Sequence, residues 1–319
     1  MRAIICGIFA VPSGLMGGEM RIVIAGGTGF LGRPLTAALL RDGHQLVVLT
    51  RGSASAPAGA RAVSWTPNGD SGPWAAAIEG ADAVINLAGE SISKRWTAAQ
   101  KQRIVESRVQ ATRSLAAAIT GATQAPALLI SGSAVGYYGP HGDERITENT
   151  PAGSDFLAEV CRHWEDEAQR AVSARTRVVC IRTGLVLERD GGALAQMLPP
   201  FWFGAGGPVG SGRQFWPWIH REDWINLVCW VLRSPAATGA INATAPAPVT
   251  NSEFTRALGR QLHRPAFLAV PAFALRAMFG QMADEALLAS ARVQPAKLQA
   301  AGFHFSLPEI DAALRAALS

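Results

Sequence analysis

The chain has 319 residues, of which 49% are hydrophobic and 17% charged, and it carries a net charge of +5. This composition is typical of a folded globular protein and excludes a disordered chain, and the length suits one large α/β domain or a main domain with an appendage. The arginines are scattered along the chain, whereas nucleic-acid binding requires a clustered basic stripe, so no nucleic-acid partner is expected. Four widely separated cysteines without metal-ligand spacing predict free thiols and no metal site.

The first predicted element begins at Met20, where Met-Arg-Ile-Val-Ile-Ala is typical of a buried strand. Residues 1–19 contain only a short apolar run, and we expect them to be a dispensable extension, with a signal peptide as the alternative. No other stretch reaches the 18 apolar residues that indicate a membrane span. We therefore expect a cytoplasmic protein without a membrane partner.

Short β-branched runs alternate with longer Ala/Leu-rich segments over residues 20–245, as in the βαβ units of a parallel sheet. The pattern predicts a doubly wound Rossmann-type α/β domain, whose ligands bind outside the carboxyl ends of the strands. Prolines punctuate short helical runs over residues 246–319, which predicts a small C-terminal helical substrate lobe. The candidate strands are residues 21–25, 45–49, 83–87, 127–131 and 177–182.

A glycine-rich turn follows the first strand and opens a helix. Gly26, Gly29 and Gly32 have the spacing that gives a tight turn, close approach of the backbone to a diphosphate, and close packing of the helix on the strand. The N-terminus of the helix favours negative charge. We therefore expect a dinucleotide site that includes Gly26, Gly27, Thr28, Gly29, Phe30, Leu31 and Gly32.

The second strand ends in Thr50 and Arg51, where an NAD-preferring protein usually carries Asp or Glu for the ribose 2′-hydroxyl. A guanidinium can instead form charge-assisted hydrogen bonds with a 2′-phosphate. Arg51 therefore predicts NADP (NADPH) in preference to NAD, and the alternative is a solvated loop arginine. After the third strand come Leu87, Ala88 and Gly89, which we expect to pass beside the adenosine and ribose.

The glycine turn, the run Asn-Leu-Ala-Gly at 86–89 and residues 131–139 together resemble the short-chain dehydrogenase/reductase superfamily, in its extended epimerase/dehydratase branch. Four further segments are similar to the YfcH-like group of atypical members. They are Gly-Glu-Ser-Ile at 89–92, Ser-Arg at 107–108, Trp-Ile-His at 218–220 and Gly-Phe at 302–303. The resemblance implies an NAD(P)-dependent epimerase-like protein with a C-terminal domain of unknown function and an unsettled substrate. Some relatives carry a cell-division label.

The catalytic set of the superfamily is Asn, Ser, Tyr and Lys, and this chain departs from most of it. The resemblance places Arg108 at the Asn and Ser133, or else Ser131, at the Ser. With only three lysines and two tyrosines, no Tyr-x-x-x-Lys pair exists in the sequence. Residues 155–161, which fall where that pair belongs, supply neither residue. The proton transfer that the pair performs must therefore be done by other groups or be absent.

Arg108 lies on an apolar helical stripe with Ile104, Ala111 and Leu115. An arginine in that position needs an anionic or hydrogen-bonding partner, because burying it alone is costly. We expect the phosphates or ribose of the cofactor to be that partner, and a salt bridge with Glu106 or Glu165 is the alternative.

Two functions remain open on the sequence. The first is an NADP-dependent oxidoreductase or epimerase that transfers hydride on a small carbonyl, hydroxyl or sugar-nucleotide substrate, with Ser133 and Tyr137 as catalytic residues and Ser131 beside the cofactor. The second is a non-catalytic NADP-binding regulator. Aromatic residues are interleaved over 199–218, where they either wall a cleft or pack the second lobe. The retained serine and such a cleft favour the enzyme, and the missing acid/base pair favours the regulator. A homodimer is a further expectation.

Overall fold

The computed structural model describes residues 18–52 and 55–319. The expected extension, residues 1–19, lies outside the described residues except for its last two. In chain order the strands are β1 (Arg21–Ala25), β2 (Gln45–Thr50), β3 (Arg61–Ser64), β4 (Ala83–Asn86), β5 (Leu128–Ala134), β6 (Arg145–Ile146), β7 (Arg177–Thr183), β8 (Leu185–Leu187), β9 (Phe215–Trp216), β10 (Trp218–His220), β11 (Gly239–Ala243), β12 (Val249–Thr250) and β13 (Arg292–Val293). The α-helices are α1 (Gly32–Arg41), α2 (Ala98–Gly121), α3 (Phe156–Gln169), α4 (Gly192–Trp202), α5 (Arg221–Arg233), α6 (Asn251–Leu262), α7 (Ala272–Phe279), α8 (Ala296–Ala300) and α9 (Ile310–Leu318).

The central sheet has seven strands in the order β11-β7-β5-β4-β1-β2-β3. Every neighbouring pair in it is parallel, which confirms the predicted doubly wound fold. All five predicted strands lie in this sheet. The prediction missed its two edge strands, β3 and β11, because the first is mostly exposed and the second contains Gly239 and Asn242, residue types that are depleted in strands.

Apolar side chains alternate between the two faces of the sheet. Val23 packs with Leu115 of α2 and Ala168 of α3, whereas the next residue, Ile24, packs with Leu35 of α1 and Leu227 of α5. Successive side chains of a strand point to opposite faces, so both faces of the sheet are buried under helices. The open part of the sheet is its carboxyl edge, where the ligand is expected.

The C-terminal helices form a second cluster beside this sheet. Trp218, Phe254 and Leu314 are fully buried in it, together with residues of α4, β8 and β9. Phe201 and Trp216 are buried there as well, so these aromatic side chains pack the second lobe instead of lining a cleft. A helical C-terminal region is therefore present as predicted. Within the described residues, no helix has the length and apolar character that crossing a membrane requires.

Candidate dinucleotide and catalytic site

The glycine turn between β1 and α1 has no room for larger residues. A Cβ on Gly32 would lie 2.1 Å from the carbonyl oxygen of Gly26, and Gly26 itself has φ +80. A Cβ on Gly26 would lie 2.6 Å from the carbonyl carbon of Leu87. The turn therefore packs directly on the segment after β4, and two predicted parts of the cofactor site are brought together.

The same turn presents main-chain donors at the N-terminus of α1. Gly29 N–H donates to Gly26 at 3.0 Å and Arg33 N–H donates to Gly29 at 2.9 Å. Within the described residues, the N–H groups of Thr28, Phe30 and Leu31 have no acceptor. Exposed donors combined with the helix dipole fit a diphosphate, so the residues present fit a dinucleotide.

The side-chain positions of Phe30 and Gly27 are packed against other parts of the protein. The Phe30 ring covers Gly191 and Gly192 at the start of α4, and the Arg221 guanidinium lies 5.6 Å from its centroid. Gly27 is buried against Val48 of β2, and a Cβ there would approach that side chain to 2.9 Å. The side-chain space at these two positions is therefore filled by protein, so a dinucleotide could contact only their backbone.

Two further predicted positions lie at the end of β2. The Thr50 side chain is buried, and its carbonyl accepts the Trp65 N–H at 3.0 Å. Arg51 is exposed and forms no ion pair within the described residues. Its guanidinium is therefore available to a ligand at the carboxyl edge of the sheet.

Asn86 fixes the turn after β4, a role that the sequence did not settle. Its side chain is fully buried, donates to Thr112 Oγ1 of α2 at 2.8 Å and accepts the N–H of Ala88 at 3.1 Å. Buried polar groups are stable when they are satisfied in this way. Asn86 therefore shapes the backbone that carries Leu87, Ala88 and Gly89.

Arg108 lies between Gly89 and the ring of Trp164. A Cβ on Gly89 would lie 3.2 Å from the guanidinium carbon, which is itself 5.1 Å from the Trp164 centroid. The guanidinium donates to the carbonyl of Ile104 at 3.1 Å, and burial lowers the pKa of Arg108. The alternative salt bridge is not formed, because Glu106 accepts from Gln102 and Glu165 pairs with Arg182.

Ser133 donates its hydroxyl proton to a buried ion pair. Its Oγ lies 2.6 Å from Oε1 of Glu165 on α3. Arg182 on β7 holds that carboxylate with two N–H groups, each at 2.8 Å. Ser133 and Arg182 are each only 4% exposed, so the group works in a low dielectric, where hydrogen bonds are strong. Ser131 is fully buried, and its hydroxyl donates to the carbonyl of Gly132 at 3.2 Å.

Arg182 also organises both tyrosines. Its guanidinium carbon lies 3.4 Å from the ring centroid of Tyr137, and its Nη1 donates to the Tyr138 hydroxyl at 3.0 Å. The Tyr138 hydroxyl donates to Asn242 at 2.6 Å, and Tyr138 is fully buried while Tyr137 is partly exposed. Hydrogen bonds to Glu165 raise the pKa of Arg182 although burial opposes this. The two predicted catalytic side chains, Ser133 and Tyr137, are therefore joined through one arginine.

Sequence reasoning missed Arg182, although a signal was present. The strand Arg-Val-Val-Cys-Ile-Arg-Thr ends its apolar run with a charged residue, and a charge on a buried strand needs a partner. A carboxylate on a neighbouring helix face would meet that need. The sequence offers Glu165 as a partner of Arg108 as well, so the sequence alone does not pair it with Arg182.

Residues 155–161 contribute a helix start and a buried thiol to this region. Asp155 caps α3 by accepting the N–H of Ala158 at 2.8 Å, and Glu285 accepts the N–H of Leu157 at 3.0 Å. Burial raises the pKa of Cys161 to about 12, and its thiol lies beside Ser133. A thiol with that pKa is protonated at neutral pH, so it is not a base for proton transfer.

The sequence matches the model of the NAD dependent epimerase/dehydratase family over residues 22–243. The chain belongs to that family. Residues 270–317 match a domain of unknown function, DUF1731. The resemblance inferred from the motifs is thereby confirmed.

Relatives in this family match almost the whole chain. An epimerase family protein of Mycobacterium tuberculosis is 43% identical over 295 residues, covering 92% of this chain and 96% of that protein. A chloroplastic SDR39U1 homologue of Arabidopsis thaliana is 41% identical over 302 residues, covering 93% and 86%. The crystal structure of human SDR39U1 isoform 2 with NADPH superimposes with a TM-score of 0.86 at 36% identity, covering 94% and 100%.

The buried tyrosine makes a prediction that absorbance can test. Burial raises the pKa of Tyr138 to about 12, so it should ionise well above the ordinary value near 10. Because the unfolded state then releases this proton first, Tyr138 contributes stability that is lost as the pH rises from about 10 to about 12. Phenolate absorbance of Tyr137→Phe, which leaves one tyrosine, measures this directly. Ionisation near pH 10 in the folded variant would contradict the burial, and the same variant in denaturant is the control.

Proposed function

We propose that this protein is an NADPH-binding oxidoreductase or epimerase. The observation that carries the proposal is Arg108, a half-buried arginine without a carboxylate partner among the described residues, which lies against Gly89 beside the glycine turn. A buried arginine needs an anionic or polar partner, and a dinucleotide at this edge of the sheet supplies both phosphates and ribose hydroxyls. The NADPH complex of the human relative supports the same choice of cofactor.

The residues that would hold NADPH come from four segments. The N–H groups after Gly26 receive the diphosphate, residues 87–89 pass beside the adenosine and ribose, and Arg51 takes the 2′-phosphate. Arg108 holds the half of the cofactor that lies nearest Ser133, which is the task of lysine in the superfamily. Thr50 and Ser131 support the adjoining backbone. When bound, the cofactor supplies or accepts a hydride.

Ser133 and Tyr137 are the proposed catalytic residues. The Ser133 proton is donated to Glu165, so the oxygen presents lone pairs and accepts a hydrogen bond from a substrate hydroxyl. Arg182 holds the Tyr137 ring by stacking and holds Ser133 through Glu165. The phenol of Tyr137 is then the side chain best supported as the group that moves a proton.

The substrate in this proposal is a small molecule with a carbonyl or hydroxyl group, or a sugar nucleotide, and residues 246–319 form the lobe that covers it. The cytoplasmic location and the homodimer remain predictions. A second function is favoured by one observation: the first turns of α3 offer Leu157 and a neutral Cys161 in place of an acid/base pair. That arrangement is expected of a regulator that binds NADPH without turnover.

Reduction of a substrate panel separates these two functions. The purified protein is mixed with NADPH and a series of carbonyl compounds and sugar nucleotides, and the absorbance of the reduced nicotinamide is followed. An oxidoreductase oxidises NADPH with at least one substrate. An epimerase consumes no NADPH overall, so each sugar nucleotide is also incubated with the protein and NADP⁺ and analysed for its epimer, and Ser133→Ala should slow whichever reaction is seen. Tight NADPH binding with neither NADPH oxidation nor epimer formation would support the regulator and remove the catalytic proposal.

Cofactor preference is tested at Arg51. Arg51→Ala should weaken NADPH binding by about tenfold to a hundredfold, because a charge-assisted hydrogen bond contributes about 1.5–3 kcal/mol, and it should leave NADH binding unchanged. Titration of both dinucleotides with wild type and variant measures this. Arg41→Ala, an exposed arginine at the end of α1 away from the glycine turn, is the control for a general loss of positive charge. Equal loss for NADPH and NADH would separate Arg51 from the 2′-phosphate.

A further inference from the structure

Four large apolar side chains protrude from two adjacent turns of the second lobe. Trp202 and Phe203 end α4 and are 54% and 87% exposed, and Phe267 and Leu268 follow α6 and are 72% and 47% exposed. Arg264 donates to the Trp202 carbonyl at 3.3 Å and the Leu268 N–H donates to Gly206 at 3.2 Å. These contacts place the turns side by side, and we call residues 202, 203, 267 and 268 with their flanking cations the basic aromatic face.

The cations of this face surround a shallow groove of about 630 Å³ beside Phe267. It is lined by Arg256, Arg260, His263 and Arg264. Arg260 is neutralised by Asp311 at 2.8 Å. Arg256 and Arg264 donate to main-chain carbonyls, and within the described residues neither forms an ion pair. Hydrogen bonds from Thr250 and the charge of Arg256 lower the pKa of Glu253, so Glu253 partly offsets Arg256. The face therefore combines exposed aromatic rings with a positive charge that its carboxylates offset only in part.

We propose that the basic aromatic face adsorbs to the surface of an anionic lipid bilayer. Aromatic rings next to arginines suit the headgroup region, where the rings insert and the cations meet lipid phosphates. This contact requires no membrane-spanning helix, and it departs from the expectation that no membrane is a partner. It does not depend on the proposed catalytic function.

The charge and the area of the basic aromatic face favour a lipid surface over a second protein as its partner. A second copy docked face to face would bring two sets of arginines together, and like charges across an interface are unfavourable. The exposed apolar area of the four side chains is roughly 500 Å², taking about 150–250 Å² for each whole side chain. A stable protein interface buries about 800 Å² on each partner. The face is thus small for a stable protein dimer, whereas separate inserting rings need no such area.

Co-sedimentation with vesicles tests the proposal on the full chain. Wild type should bind vesicles that contain phosphatidylglycerol, bind pure phosphatidylcholine at least tenfold more weakly, and be released by high salt. The double variants Phe203→Ser with Phe267→Ser and Arg256→Gln with Arg264→Gln should each bind the anionic vesicles about tenfold or more weakly. Val172→Ser, which follows α3 in the sheet domain and is 54% exposed, is the control for loss of an exposed apolar side chain away from this lobe and should bind like wild type.

NADPH affinity is measured on every variant and should be unchanged, which shows that each variant is folded and separates this test from that of the catalytic function. Three binding results would overturn the proposal. They are no binding of wild type to anionic vesicles, equal binding to both lipids, or equal binding by the double variants and wild type. A wild-type dimer that dissociates on Phe203→Ser with Phe267→Ser would also overturn it, by assigning the face to a second copy.

Discussion

Replacing Arg182 by alanine should lower the free energy of unfolding by about 3–5 kcal/mol, the range measured when one partner of a buried ion pair is removed. The variant leaves the Glu165 carboxylate buried without its two N–H donors at 2.8 Å. It also takes a donor from the buried Tyr138 hydroxyl and the stacked cation from Tyr137. Few single substitutions elsewhere in the molecule remove as many buried polar contacts.

Urea denaturation followed by tryptophan fluorescence measures this loss. Arg260→Ala is the matched control, because Arg260 makes an equally short contact with Asp311 but is 58% exposed, and exposed pairs contribute about 0–1 kcal/mol. Arg182→Met combined with Glu165→Leu should recover most of the stability, since no buried charge is then left unpaired. A loss below about 1 kcal/mol for Arg182→Ala would contradict the burial of the pair.

A strand of the sheet was predictable from the sequence where most of its residues are buried, because burial requires apolar residues. Strands such as β2, with five consecutive buried residues, give apolar runs that only a core strand explains. The edge strand β3 is exposed at three of its four residues, so its sequence carries no such pattern. Its place is decided by pairing with β2, which is a tertiary property.

The residues of the candidate site also fall into two groups: those that a local sequence pattern reveals and those that only tertiary packing brings together. The glycine turn and Arg108 were predictable, because each is an anomaly within its own element: three glycines at a helix start, and a cation on an apolar stripe. The network of Ser133, Glu165 and Arg182 was not, because its members are 17 to 49 residues apart in the chain, and nothing local pairs them. Which carboxylate meets which arginine depends on how α3 packs on β5 and β7.

Arg108→Ala should weaken NADPH binding by about tenfold to a hundredfold, because hydrogen bonds to a charged group contribute about 1.5–3 kcal/mol. The guanidinium is held by one carbonyl hydrogen bond and by the Trp164 ring. Burial lowers the pKa of Arg108, so the protein alone does not compensate the charge. Stability without NADPH should therefore change little, whereas the stabilisation that NADPH adds should fall.

Thermal unfolding with and without NADPH, together with titration of the dinucleotide, measures both quantities. Arg103→Ala is the matched control, because this exposed arginine lies on α2 five residues earlier and donates its hydrogen bonds to Gln100 on the same helix. Arg108→Ala should weaken the binding of NADPH and NADH alike, whereas Arg51→Ala should weaken the binding of NADPH alone. Comparing the two variants therefore separates a contact that both cofactors share from a contact to the 2′-phosphate. Unchanged affinity together with a loss of several kcal/mol in stability would instead make Arg108 a packing residue, and the observation on which the proposed function depends would be lost.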